Sequence, residues 1–166
     1  MNYSNEADHP RGGDPNNPGQ FAYKANKEAE RSLVDDNDPL AGLNIDERIE
    51  LAESPDAPTE ILVQLGRDKN WSVQWRVARN PSTPAETLVQ ISEDEDPWVR
   101  LEVSRNPHTP KEILARLSED NAPDVRREVV YNSNTPAEAL IRLSKDEDPD
   151  VRRIARQVLQ ARANAS

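Results

Sequence analysis

The chain has 166 residues, 21 Lys plus Arg against 31 Asp plus Glu for a formal charge of −10, and only 34% hydrophobic residues. That length holds one or two small domains. No apolar run of about 18 residues is there to span a membrane and no apolar N-terminal stretch to act as a signal peptide, so a cytoplasmic location is expected. Cysteine is absent, which excludes disulfides, thiolate nucleophiles, cysteine-ligated zinc and iron–sulfur clusters.

In chain order, residues 1–42 come first. Pro10, Gly12, Gly13, Pro15, Pro18 and Gly19 crowd one stretch, and only Phe21-Ala22-Tyr23 and Leu33-Val34 interrupt its polarity. Too few apolar side chains are present to build a core, so a disordered or extended tail is expected. A sharper alternative is a linear motif from Gly19 to Leu33 that docks on a partner or back on the folded part.

Residues 43–166 are expected to fold as one helical unit, because the sequence from about 54 onward repeats. Pro58, Pro84, Pro110 and Pro136 are spaced by 26 residues without a gap. Leu62, Leu88, Leu114 and Leu140 share one column, and Leu65, Ile91, Leu117 and Leu143 another. Asp68, Asp94, Asp120 and Asp146 make a third, and Val73, Val99, Val125 and Val151 a fourth. Ile45 to Ser54 falls in the register of a second helix without a first, a half-unit that shields the N-terminal end.

Each unit predicts two short helices. Thr83, Thr109 and Thr135 precede a proline and stand three residues before Glu86, Glu112 and Glu138, a Thr-x-x-Glu capping box that opens a first helix of about nine residues. Asp96-Pro97 and Asp148-Pro149 open a second, with the acid accepting backbone N–H groups. Asn106-Pro107 and Asn80-Pro81 close it, asparagine being tolerant of the left-handed conformation. The last helix is expected to run on through Val158 and Leu159. One unit buries about four or five side chains, worth roughly 1.5–3 kcal/mol each, too little to fold alone. Stacking on neighbours supplies the rest, which is the logic of a solenoid.

The pattern Asn-Pro-x-Thr-Pro-x-Glu-x-Leu-x-x-Leu/Ile-x-x-Asp-x-x-Pro-x-Val-Arg, over about residues 54–159, resembles the bacterial leucine-rich repeat variant, a helical repeat distantly similar to HEAT and armadillo repeats. The resemblance implies an all-α, short right-handed superhelix of four 26-residue repeats, at about 54–79, 80–105, 106–131 and 132–158, with capping half-helices. It leaves open whether one helix of each unit is α or 3₁₀. Founding members carry an iron–sulfur module, which does not transfer to a chain without cysteine. HEAT-like repeats use an Asp and an Arg six residues apart in a ladder between units. Asp94 with Arg100, Asp120 with Arg126 and Asp146 with Arg152 have that spacing, and Gln74 opposite Asp68 should end the ladder in a neutral amide.

Structural constraint should be weakest on the outward face of the second helices, at positions i, i+3 and i+7. Trp75 and Arg79, then Trp98, Leu101 and Arg105, then Arg127 and Tyr131, and finally Arg153 occupy that stripe. Aromatic and Arg side chains anchor protein interfaces, so the stripe is the expected contact surface for a protein partner, and the chain is expected to act as a monomeric scaffold or adaptor without a cofactor. Alternatively the rings complete the packing, and Trp71 and Trp98 merely start helices. A nucleic-acid role is the second functional reading, by an Arg79, Arg105, Arg127 and Arg153 line or by acidic mimicry. Direct binding to phosphate is disfavoured by 17 Lys plus Arg against 23 Asp plus Glu from residue 44 onward, a net −6. Glu93-Asp94-Glu95-Asp96 and Asp146-Glu147-Asp148 are better read as helix-start acids than as a cation loop, since no glycine supplies a sharp turn. With His9 and His108 the only histidines and no nucleophile at a recognisable spacing, no enzyme activity is expected.

Overall fold

A computed structural model describes residues 39–165, and the expectations for the tail, including the linear motif from Gly19 to Leu33, lie almost wholly outside them. All regular elements among the described residues are α-helices: α1 (Ile45–Glu53), α2 (Thr59–Leu65), α3 (Trp71–Arg79), α4 (Ala85–Ile91), α5 (Pro97–Arg105), α6 (Lys111–Leu117), α7 (Pro123–Tyr131), α8 (Ala137–Leu143) and α9 (Pro149–Asn164). The even-numbered members are the first helices of the four units and the odd-numbered ones the second. Both are α, which answers the question left open between α and 3₁₀. A turn at Gly42, whose φ of 80° suits a residue without Cβ, leads the chain to Asn44. There Asn44 and Glu47 form a reciprocal capping box that starts α1.

Burial follows the columns. Leu62, Leu88, Leu114 and Leu140 are buried, as are Val73, Val99, Val125 and Val151, and with Leu65, Ile91, Leu117 and Leu143 they line the core that runs through all four units. The odd-numbered helices α1, α3, α5, α7 and α9 pack each on the next as one row, while the even-numbered helices touch one another less. A seven-residue helix cannot sustain itself in water, so α2, α4, α6 and α8 owe their order to this packing.

Two local expectations are corrected. The first helices have seven residues rather than about nine, and Thr83, Thr109 and Thr135 do not cap them. Pro84, Pro110 and Pro136 occupy the cap position without a side-chain bond. The threonine hydroxyls turn back instead and donate to Val77 O, Val103 O and Val129 O, each at 2.5 Å, in the last turn of the preceding second helix. Each of these carbonyls also accepts the N–H of the asparagine at its helix end, at 3.1, 3.2 and 3.3 Å, so the threonine supplies a second, shorter bond to a helix C-terminus that is short of donors.

Asparagine at the helix end is not left-handed either. Asn80, Asn106 and Asn132 have φ of −67°, −64° and −69° with extended ψ. Their buried amides form a ladder. Asn80 Nδ2 donates to Ala52 O and Ser54 O at 2.7 and 2.8 Å, Asn106 Nδ2 to Ala78 O and Asn80 O at 2.8 and 3.0 Å, and Asn132 Nδ2 to Ser104 O and Asn106 O at 2.7 and 3.0 Å. Each Oδ1 accepts the N–H two residues on, from Ser82, His108 and Asn134. Every asparagine, itself at the end of one second helix, thus caps the end of the second helix before it. Beyond the last rung, the extension of α9 supplies the donor: Arg162 Nη2 reaches Asn132 O at 3.1 Å and its Nη1 Thr135 O at 2.7 Å.

The Asp and Arg columns form the second ladder, with a geometry the spacing alone does not specify. Arg100 points its Nη1 at Asp94 O, 2.8 Å away in its own unit, and spends its Nε and Nη2 on both carboxylate oxygens of Asp120 in the next, at 2.6 and 2.9 Å. Arg126 repeats this with Asp120 O and with Asp146, both fork bonds being 2.8 Å. Bidentate, partly buried pairs of this kind are the strong ones. At Gln74 the ladder is interrupted rather than ended, because the same column continues in α1, where Arg48 pairs with Asp68 at 3.1 Å. A third set crosses the first helices: Arg116 donates to Ser92 Oγ, and Arg142 to Ser118 Oγ at 2.9 Å.

Candidate functional site

The residues that hold units together leave a restricted set for other duties, and the outward stripe of the second helices divides accordingly. On α5, Asp96 accepts the Trp98 N–H at 2.8 Å, so the helix starts with the Trp98 side chain directed outward, 46% exposed. At the far end of α7, Tyr131 is 60% exposed. Trp75 is half-buried against the core on α3, and two guanidinium groups cover it: the Arg76 group lies 4.5 Å from the ring centroid and the Arg79 group 5.4 Å. Leu101 does not belong to the surface at all. It is 3% exposed, because α3 and α7 close on α5 from both sides, whereas the longer Arg127 and Arg153 at the equivalent positions of α7 and α9 still reach solvent.

Arg105, Arg127 and Arg153 are engaged by the chain's own acids. Arg105 Nη1 donates to Glu102 at 3.0 Å, and its Nε and Nη2 meet Glu128 across the gap between α5 and α7, at 3.0 and 3.1 Å. Arg127 pairs with Asp124 at 2.7 Å and Arg153 with Asp150 at 3.0 Å, both one turn away on the same helix. Exposed pairs of this sort contribute little to stability, but they remove the unpaired positive line that phosphate contact requires. Glu102 is the most enclosed acid of the group. Burial pushes its carboxyl above the ordinary range, while the Arg105 and Arg79 guanidinium groups and the Arg105 hydrogen bond pull the other way.

A groove of about 450 Å³ opens where α1 and α3 end, lined by Glu53, Arg76, Arg79, Asn80 and Pro81. Arg76 is bonded to Glu53 at its wall. Of this set only Arg79 stands in the sequence-derived stripe. Glu53 and Arg76 face each other because residues 23 apart in adjacent units become neighbours, a relation visible only once the units are stacked.

The acids at the helix starts serve as turn acceptors. Asp94 Oδ1 takes the Asp96 N–H at 2.8 Å, and Asp146 Oδ1 the Asp148 N–H at 2.8 Å. No grouping of three or more His, Asp or Glu side chains that suits a metal ion occurs among the described residues. Nor, among them, is any helix long and apolar enough to cross a membrane. Residues 123–148, which run from the first residue of α7 to the cap of α9, match the family described as leucine rich repeat variant. No curated protein and no solved structure matches the chain.

Proposed function

On a chain that carries a leucine rich repeat variant unit in a row of equivalent helical units, we propose a non-catalytic protein-recognition module: a monomeric, cytoplasmic scaffold or adaptor that works without a cofactor. Its contact surface is the exposed part of the second-helix row, formed by Trp98, Arg105, Arg127, Tyr131 and Arg153, with Trp75 and Arg79 at one margin. One observation carries this reading. The Trp98 and Tyr131 rings stay in solvent, as Trp71 does at the start of α3, on a row whose Val and Leu side chains at the same helices' inner positions are covered by neighbouring units. Large rings in water are the side chains that gain most from a protein partner.

The test is affinity capture from the native host, with bound proteins identified by mass spectrometry. Trp98→Ala combined with Tyr131→Ala should abolish capture while the helical circular dichroism stays unchanged. A double variant that captures the same partner as the parent would refute the reading. Against the nucleic-acid alternative by the Arg79, Arg105, Arg127 and Arg153 line stands that Arg105, Arg127 and Arg153 already hold carboxylates and Arg79 lies over Trp75. A salt-titrated DNA-binding assay is expected to show no binding beyond the weak background of any protein.

A further inference from the structure

The Arg–Asp ladder has one incomplete rung, and the two helices it should join each begin with an exposed tryptophan. Where Arg48, Arg100 and Arg126 each give a guanidinium to the aspartate of the following unit, α3 carries Gln74. Its Nε2 donates to Asp68 O at 2.7 Å and so reproduces the backbone half of the rung. The side chain is too short to supply the other half. Asp94, the acid that should receive the fork, has one described donor to its carboxylate, the Asp96 N–H on Oδ1. Gln74 Oε1 is itself buried without a donor. A buried acceptor, Gln74 Oε1, and a half-buried carboxylate that lacks the guanidinium of its equivalents therefore meet at one rung, a combination that suits a donor-rich cation.

The surroundings suit such a group. The rung lies between the turns that start α3 and α5, and these helices begin with Trp71, 43% exposed, and with Trp98. Glu93 and Glu95 flank Asp94, so this turn carries four consecutive acids, of which Glu93 pairs with Arg116 and Asp96 caps α5, where the preceding turn has Arg67, Asp68 and Lys69. We propose that the rung at Gln74 and Asp94 is a receptor for an arginine side chain of a protein partner, paired with Asp94 and bordered by Trp71 and Trp98. This rests on the recognition reading above and names the chemistry of its partner: an arginine-bearing, basic segment. Arginine fits better than lysine because the neighbouring rungs show what the site is built for, a planar fork that meets both carboxylate oxygens, and because such a plane also stacks on indole.

The probe is a flexible peptide with arginines spaced by glycine, titrated into the full chain while the indole N–H signals of Trp71 and Trp98 and the amides of residues 94–96 are followed by NMR. Saturable shifts at these positions are expected, with a lysine counterpart weaker and a citrulline counterpart, neutral but of the same shape, without effect. Gln74→Arg completes the rung from within and should lower peptide affinity about tenfold or more, as should Asp94→Asn, in line with the loss of hydrogen bonds to a charged group. Gln74→Arg should also raise the melting temperature, which shows that its guanidinium has reached Asp94. Absence of saturable shifts, equal binding of the citrulline peptide, or parental affinity in Asp94→Asn would each overturn the proposal. Unaltered capture of the natural partner by Gln74→Arg, with capture lost in the Trp98 and Tyr131 double variant, would overturn the arginine receptor and leave the recognition surface standing.

Discussion

Replacing Asn106 by alanine removes two inter-unit bonds at once. Ala78 O lies in the last turn of α3, and the Asn106 amide is its donor at 2.8 Å. Asn106 is 3% exposed, so water does not replace that donor, and a stranded buried carbonyl costs about 1–3 kcal/mol. Asn80 O is affected less, because it also accepts the Thr83 N–H at 3.1 Å. Losing one of two bonds there adds roughly 0.5–1.5 kcal/mol. The His108 N–H belongs to an exposed residue and turns to solvent at small cost. The expected destabilisation of Asn106→Ala is therefore about 2–4 kcal/mol, read from the midpoint of urea unfolding followed by circular dichroism. Asn106→Gly separates this account from the local one. A residue chosen for left-handed tolerance exchanges freely with glycine, whereas here φ is −64° and glycine both loses the ladder and adds chain entropy, roughly 0.5–1 kcal/mol beyond the alanine value. A glycine variant within about 0.5 kcal/mol of the parent would refute the ladder's role.

Thr109→Val should cost about 0.5–1.5 kcal/mol in the same assay, because Val103 O loses one of its two donors and keeps the Asn106 N–H at 3.2 Å, while Thr109→Ser, which keeps the hydroxyl, should lose less than half of that. Thr87→Val acts in the opposite sense: Thr87 Oγ1 is buried without a partner, so the isosteric apolar side chain is expected to raise stability by about 1 kcal/mol. Acid should weaken the Arg–Asp ladder. Burial pushes the Asp120 and Asp146 carboxyls up, but the Arg100 and Arg126 forks, backbone N–H bonds and nearby positive charge outweigh it and hold both below the ordinary carboxylate value. A lowered folded-state value means stability present above the unfolded value, about pH 4, and lost as pH falls through the folded one. Asp120→Asn with Asp146→Asn should flatten that decline in a pH series of melting temperatures. Glu102, held above the ordinary range, contributes with the opposite sign, its part being lost as pH rises through its folded value. Glu102→Gln should thus gain stability near pH 7 relative to pH 4.

The columns of leucine and valine were legible in the sequence because each unit buries the same positions, and a buried position without a hydrogen-bond partner requires an apolar side chain. The asparagine and threonine columns were equally visible, yet local grammar assigned them to the wrong partners. Asn-Pro reads as a helix stop and Thr-Pro-x-Glu as a cap from nearest neighbours alone, whereas Asn106 works at separations of 26 and 28 residues and Thr109 at six. A stop could equally have been glycine, so asparagine in all three copies was the unused hint of a side-chain amide with a task. Leu101 was misplaced for a related reason. A helical wheel assigns the outward face from one unit's own residues, and a side chain of leucine's length at i+3 is outward only until the helices on either side are added, whereas the guanidinium groups of Arg127 and Arg153 extend past them. Trp98 and Tyr131, at i and i+7, escape that closure because they sit at the two ends of α5 and α7, whereas Leu101 is near the middle of its helix.

The ladder bonds also fix how the protein can change length. Asn106 grips residues 26 and 28 positions earlier, Arg100 an acid 20 positions later and Arg142 a serine 24 positions earlier. A single inserted or deleted residue within a unit would throw all of these out of step at two boundaries. Duplicating or excising a whole 26-residue block leaves every grip intact. Gene segments of this kind are therefore free to vary in copy number while their internal length is held constant, and a set of variants with one unit more or fewer should melt as ordered proteins where a set with one residue more or fewer does not.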